Sequence, residues 1–128
     1  MNRQKEFKRE ELNPEEINDL IIESIQDIKG KNIVKLDLRE LDDAPTNFFI
    51  ICEGDSNTQV KAISDNIRKR LKIEADSRPT HVEGASNALW ILMDYFDVVV
   101  HVFYKETRKF YELEELWSDA IFSEYETL

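Results

Sequence analysis

Asp94 and Asp97, three residues apart, could hold Mg²⁺ for phosphoryl transfer, which would make the chain a small nucleotidyltransferase. No basic or glycine-rich cradle for a triphosphate accompanies them, and acids flanking a turn commonly cap its N–H groups instead. Two histidines, His81 and His101, and one cysteine, Cys52, complete the metal-binding inventory. They offer no His-X-X-X-His, Cys-X-X-Cys or EF-hand spacing, so neither a metal nor another cofactor is expected. Gly54-Asp55-Ser56 could present helix N–H groups to a phosphate, but Glu53 and Asp55 would repel it, and a strand exit followed by an N-cap fits better. Gly84-Ala85-Ser86-Asn87-Ala88 departs at its last position from the G-x-S-x-G nucleophile elbow, and a strand pattern follows it where that elbow needs a helix.

Recognition is the chemistry that remains. From Trp90 to Phe103 the chain crowds Trp90, Tyr95 and Phe96 against Asp94 and Asp97 beside a run of valines. A buried strand needs the valines but not the rings and carboxylates, whereas rings with acids at the rim suit a protein-binding hot spot. Lys61, Arg68, Lys69, Arg70 and Lys72 form the one basic patch, read as the solvated face of a helix, with rRNA contact as the functional alternative.

The elements that must position these residues follow from periodicity. Asn13, Pro14 and Glu16 start a helix whose apolar face is Ile17, Leu20, Ile21, Ile25 and Ile28, with Gly30 as its stop. Residues 33–38 alternate as a strand, 39–47 form a loop, and the continuously apolar 48–52 reads as a central strand covered on both faces. Ser56 and Gln59 open a second helix with the stripe Val60, Ile63, Ile67 and Leu71. His81–Glu83 is a short strand at best. Residues 88–95 and 98–104 form a hairpin whose turn is awkward, because Phe96 sits where positive φ favours Gly or Asn. A turn at 105–109 leads to a short helix near 112–117, on which Leu116 and Trp117 are expected to pack against the sheet. The order implies a right-handed crossover and a fold of the α/β (α+β) class, one domain with a mixed β-sheet flanked by helices.

With 128 residues, 41% apolar, the chain can fill one core. It divides into a frayed N-terminal arm (1–12), a domain (13–120) and an acidic C-terminal tail (121–128). The lone cysteine fits a reducing compartment, no apolar run reaches the roughly 18 residues of a membrane span, and the first residues lack the apolar stretch of a secretory signal. A cytoplasmic protein that does not engage membranes is therefore expected. The net charge of −10 disfavours a large nucleic-acid footprint and favours a basic partner.

Leu36-Asp37-Leu38, Asn47 to Ser56, Gln59 to Ile67, Glu83-Gly84, Trp90 to Phe103, and Glu106-Thr107-Arg108 through Tyr111, Leu113, Leu116 and Trp117 together resemble the ribosomal silencing factors, the Iojap family. The match spans residues 17–120. Phe96 replaces the family's usual Gly, and Glu53-Gly54-Asp55-Ser56 replaces its commoner Ser-Gly-Thr-Ser or Thr-Gly-Thr-Ser. The resemblance implies a nucleotidyltransferase-like core without an active site. It also implies binding to the large ribosomal subunit through that subunit's protein uL14, where the small subunit docks. Repression of translation under nutrient limitation and a role in large-subunit maturation go with it. On this reading Trp90 is the anchor, with Met93 and Tyr95 extending its apolar patch. Asp94, Asp97 and Glu106 pair with Lys or Arg of the partner, and His101 is either a contact or a core residue. A homodimer joined through a strand edge is a further alternative.

Overall fold

The computed structural model describes residues 12–128, so the arm expected at 1–12 lies outside them except for Leu12, which packs on the core. Helix α1 (Pro14–Asp27) begins with the expected capping box: Asn13 Oδ1 accepts from the Glu16 N–H at 2.8 Å, and Glu16 Oε1 accepts from the Asn13 N–H at 3.0 Å. Its stop is made differently from the expectation. Lys29, not Gly30, takes the left-handed backbone (φ 60°). Gly30 is required for another reason, since a Cβ there would stand 2.3 Å from Ile25 Cγ2.

Strands β1 (Lys31–Asp37) and β2 (Phe48–Gly54) pair antiparallel, and helix α2 (Asn57–Ala75) follows. Ser56 Oγ accepts from the Gln59 N–H at 3.1 Å. The Gln59 side chain does not return to Ser56. It accepts from the Asp55 N–H and donates to the carbonyls of Ile28 and Lys29, tying the end of α1 to the start of α2. After β3 (His81–Glu83), the hairpin β4 (Trp90–Asp94) and β5 (Val98–Tyr104) completes the predicted strands. β5 runs parallel to β2, residue for residue from Phe48↔Val98 to Gly54↔Tyr104.

Two elements differ from expectation. Residues 105–109 belong to a helix, α3 (Lys105–Tyr111), which has no side-chain cap and is followed by the short α4 (Leu113–Leu116). The residues read as an acidic tail contain a strand, β6 (Ile121–Tyr125), so the tail is part of the sheet. It pairs antiparallel with β1, from Ile33↔Tyr125 to Asp37↔Ile121. The sheet order is β3-β4-β5-β2-β1-β6.

Helices α1 and α2 cover one face of this mixed sheet, where Leu20, Ile21, Ile25, Val60, Ile63, Ile67 and Leu71 meet Ile50, Cys52, Ile91, Met93 and Val100. The other face carries Leu36, Phe49, Ile51, Val99 and Phe103, and among the described residues the loop after β1 and the 105–120 segment lie over it. Phe48–Cys52 is thus central and buried on both sides, as its unbroken apolar run requires. Trp117 packs edge-on to Phe49 at 5.9 Å, but Leu116 projects into solvent, because a helix of one turn can turn only part of its surface inward.

Beyond β6 the chain end is clasped to the α1–β1 junction. Thr127 Oγ1 donates to the Gly30 carbonyl, Gln26 Nε2 to that of Glu126, and Lys29 Nζ to that of Leu128, all at 3.0 Å. Removing residues 121–128 should therefore leave the β1 edge unpaired and lower folding stability by about 2 kcal/mol, the net worth of a few ladder bonds. Urea denaturation of the truncated chain tests this, and an unchanged midpoint would contradict it.

Candidate functional site

Strand alternation sorts the hairpin residues onto opposite faces. Trp90, Leu92 and Asp94 of β4 share the sparsely covered face, while Ile91, Met93 and Tyr95 turn toward the helices. Met93 is fully buried, with its sulfur 3.5 Å from Ser64 Oγ. Tyr95 is buried as well, its hydroxyl has no hydrogen-bond partner, and burial pushes its ionisation up to about 12. Neither can extend a surface patch, so both expectations are corrected. The period of two, applied from Trp90, selects Leu92 instead.

Trp90 is half-buried and held on three sides. Its ring stacks on Phe103 at 4.8 Å and tilts against Tyr111 of α3 at 5.0 Å, and its indole Nε1 donates to His101 Nδ1 at 3.0 Å. An indole N–H can only donate, so His101 Nδ1 carries the lone pair and the ring proton sits on Nε2. His101 is itself buried, edge-on to Phe49 at 4.7 Å, and Nε2 has no hydrogen-bond partner. It is not a surface contact. It lies beneath the Trp90 ring and fixes its orientation.

Burial lowers the His101 pKa to about 4, well below the ordinary 6.5. The unfolded chain therefore binds a proton at this site between pH 6.5 and 4 while the folded chain does not. The resulting stability is complete above pH 6.5 and falls as pH drops toward 4, by roughly 3 kcal/mol over the full window. Replacing His101 by Gln should flatten this part of the stability–pH profile, read as urea midpoints at pH 7 and 4.5. A profile as steep as that of the unchanged chain would show that other groups produce it.

Beside Trp90 a groove of about 560 Å³ opens, lined by Leu89, Tyr104, Glu106, Phe110 and Tyr111. Glu106 and Phe110 are exposed. In the sheet, Glu83 stands opposite Leu92 and His81 opposite Asp94. The sparsely covered face thus presents Trp90, Leu92 and Tyr111 with Glu83, Asp94 and Glu106 around them. Sequence reading missed Leu92, Phe110, Tyr111 and Glu83. The first follows from alternation, whereas the others depend on α3 and on the β3 register.

Asp94 and Asp97 lie at the opposite end of the hairpin, Asp94 about 13 Å along the strand from Trp90. Asp94 Oδ1 accepts from the Phe96 N–H at 2.8 Å, and Asp97 Oδ1 accepts from Asn47 Nδ2 at 3.3 Å. Both carboxylates are thus engaged in fixing the turn. Among the described residues no three His, Cys, Asp or Glu side chains group to hold a metal ion. Cys52 is buried, and its thiol is pushed up to about 12, which keeps it protonated and unreactive. Among the same residues no helix is long and apolar enough to cross a membrane.

Arg108 joins the groove to the sheet. Its guanidinium donates to the Asn32 carbonyl at 2.7 Å, to Glu53 Oε1 at 3.1 Å and to Glu114 Oε2 at 2.6 Å. It is buried, and it fastens α3 and α4 over β1 and β2. The acids at positions 53 and 55 are each matched from within: Glu53 by Arg108, and Asp55 by Lys31 at 2.6 Å.

The profile of the family described as "Ribosomal silencing factor during starvation" matches residues 11–128. The chain belongs to the ribosomal silencing factor family. The Chromobacterium violaceum ribosomal silencing factor RsfS is 42% identical over 106 residues, covering 80% of this chain and 83% of that protein. A crystal structure of a Chromobacterium violaceum protein superposes with a TM-score of 0.79 at 40% identity, covering 84% of this chain and 88% of that one. More distantly, a mouse protein named mitochondrial assembly of ribosomal large subunit protein 1 is 33% identical over 75 residues, 57% of this chain and 33% of its own length. Ribosomal silencing factors are regulatory proteins rather than enzymes. The nucleotidyltransferase alternative is therefore dropped, and Asp94 and Asp97 serve the turn.

Proposed function

We propose that this chain binds the large ribosomal subunit through ribosomal protein uL14 and blocks joining of the small subunit, repressing translation in the cytoplasm when nutrients are limiting. The observation that carries this reading is the sparsely covered sheet face, where Trp90, Leu92 and Tyr111 stand among Glu83, Asp94 and Glu106. Desolvated rings supply most of the affinity in such an interface, and carboxylates at its rim set register and encounter rate with a basic partner. The chain's net charge of −10 adds long-range attraction to such a surface.

A domain of this length has a radius of gyration of roughly 14 Å and is therefore about 35 Å across. Seated where the subunits meet, it obstructs by volume and needs no chemistry. The same seat keeps immature large subunits out of translation, in line with the name of the mouse relative. Pull-down of isolated uL14 by the pure chain tests the assignment. Capture that weakens as salt rises is expected, since rim charges are screened. No capture at low salt would contradict it.

A further inference from the structure

Phe96 stands at the tip of the β4–β5 hairpin in a conformation that aromatic residues rarely adopt. Its φ is 77°, inside a tight turn closed by the Asp97 N–H donating to the Tyr95 carbonyl at 3.0 Å. The surroundings leave the turn no freedom. The Phe96 N–H donates to Asp94 Oδ1 at 2.8 Å, Thr46 Oγ1 donates to the Phe96 carbonyl at 2.9 Å, and the Phe48 N–H donates to the Asp97 carbonyl at 3.1 Å. A glycine would satisfy every one of these backbone bonds without strain. The phenyl ring returns nothing to the core, being 78% exposed. A bulky side chain is thus held at positive φ with its ring displayed to solvent, the pattern expected where strain serves a contact made outside the molecule.

We propose that Phe96 is a preorganised prong that inserts into an apolar notch on the basic protein surface gripped by the Trp90 face, a proposal that rests on the function given above. Trp90, Leu92 and Asp94 lead along β4 toward this tip, which lies about 20 Å from Trp90. A standard interface of about 800 Å² per partner is some 30 Å across, so one partner can meet both ends. The flanking carboxylates of Asp94 and Asp97 decide what that partner is. They repel the phosphates beside any nucleotide base on which the ring could stack, and they favour a notch bordered by Lys or Arg. A turn whose backbone is already fixed also loses little freedom on docking.

The test is to titrate purified large subunits with the unaltered chain, Phe96→Gly and Phe96→Tyr, and to measure the Tm of each free protein. The prong predicts that Phe96→Gly raises Tm by about 3 °C, through relief of strain, and weakens binding at least tenfold, while Phe96→Tyr binds within threefold of the unaltered chain. A residue serving only the fold cannot gain stability and lose affinity together. Phe96→Gly binding within twofold of the unaltered chain, or a lowered Tm for that variant, would overturn the prong and leave the proposed function standing. No binding by the unaltered chain would overturn both.

Discussion

Replacing Arg108 by alanine is expected to lower folding stability by about 3–5 kcal/mol, the largest effect of any single substitution considered. Three partners converge on this guanidinium, and two of them are charged. Glu53 is the one that matters most, because only 14% of its side chain is exposed. Without Arg108 it becomes an uncompensated, largely buried carboxylate, and the Asn32 carbonyl loses its donor. Glu114 suffers less, because its side chain is 25% exposed and turns more easily to water. Placing serine at position 53 in the Arg108→Ala background should therefore recover about half of the loss. Urea denaturation of the two single variants and the double variant measures the coupling. Additive effects would show that Arg108 acts through α3 packing alone.

Trp90→Ala is expected to weaken binding to the large subunit by at least about 30-fold, the loss typical of a central aromatic hot spot. The ring is half-buried before any partner arrives, stacked on Phe103, tilted against Tyr111 and hydrogen-bonded to His101. Its orientation is therefore settled in advance, so docking forfeits little rotamer freedom. Some stability is lost with the stacking, but the sheet is formed by other residues, and an unchanged circular dichroism spectrum should accompany the loss of binding. Trp90→Phe keeps the ring contact while removing the indole N–H, and should bind several-fold more tightly than the alanine variant. Equal affinities for all three proteins would remove Trp90 from the interface.

Much of this fold was legible because its core elements declare themselves by period. The α1 and α2 stripes, the unbroken run of β2 and the valines of β5 all lie where spacing puts them. What escaped was structure held by few, specific contacts. β6 is an edge strand with both Ile121 and Phe122 exposed, so its apolar signal is weak and its place is set by pairing with β1. α3 has no side-chain cap and is drawn inward by Arg108, a charge that no hydrophobic pattern reveals. The candidate surface was legible in composition but not in geometry. Rings and acids clustered along the sequence at one bend are separated in space: Trp90 beside the groove, Asp94 and Asp97 at the turn, and Met93, Tyr95 and His101 inside. Crowding in sequence pointed to recognition, and alternation along the strand decides which side chains can take part.

The most direct test mixes purified small and large subunits with increasing amounts of the chain and follows the joined ribosome on a sucrose gradient. Joined ribosomes should diminish in proportion to the chain added, which sediments with the large subunit, and Trp90→Ala should do neither. Undiminished joining with the chain bound to large subunits, or no sedimentation with them at all, would contradict the account.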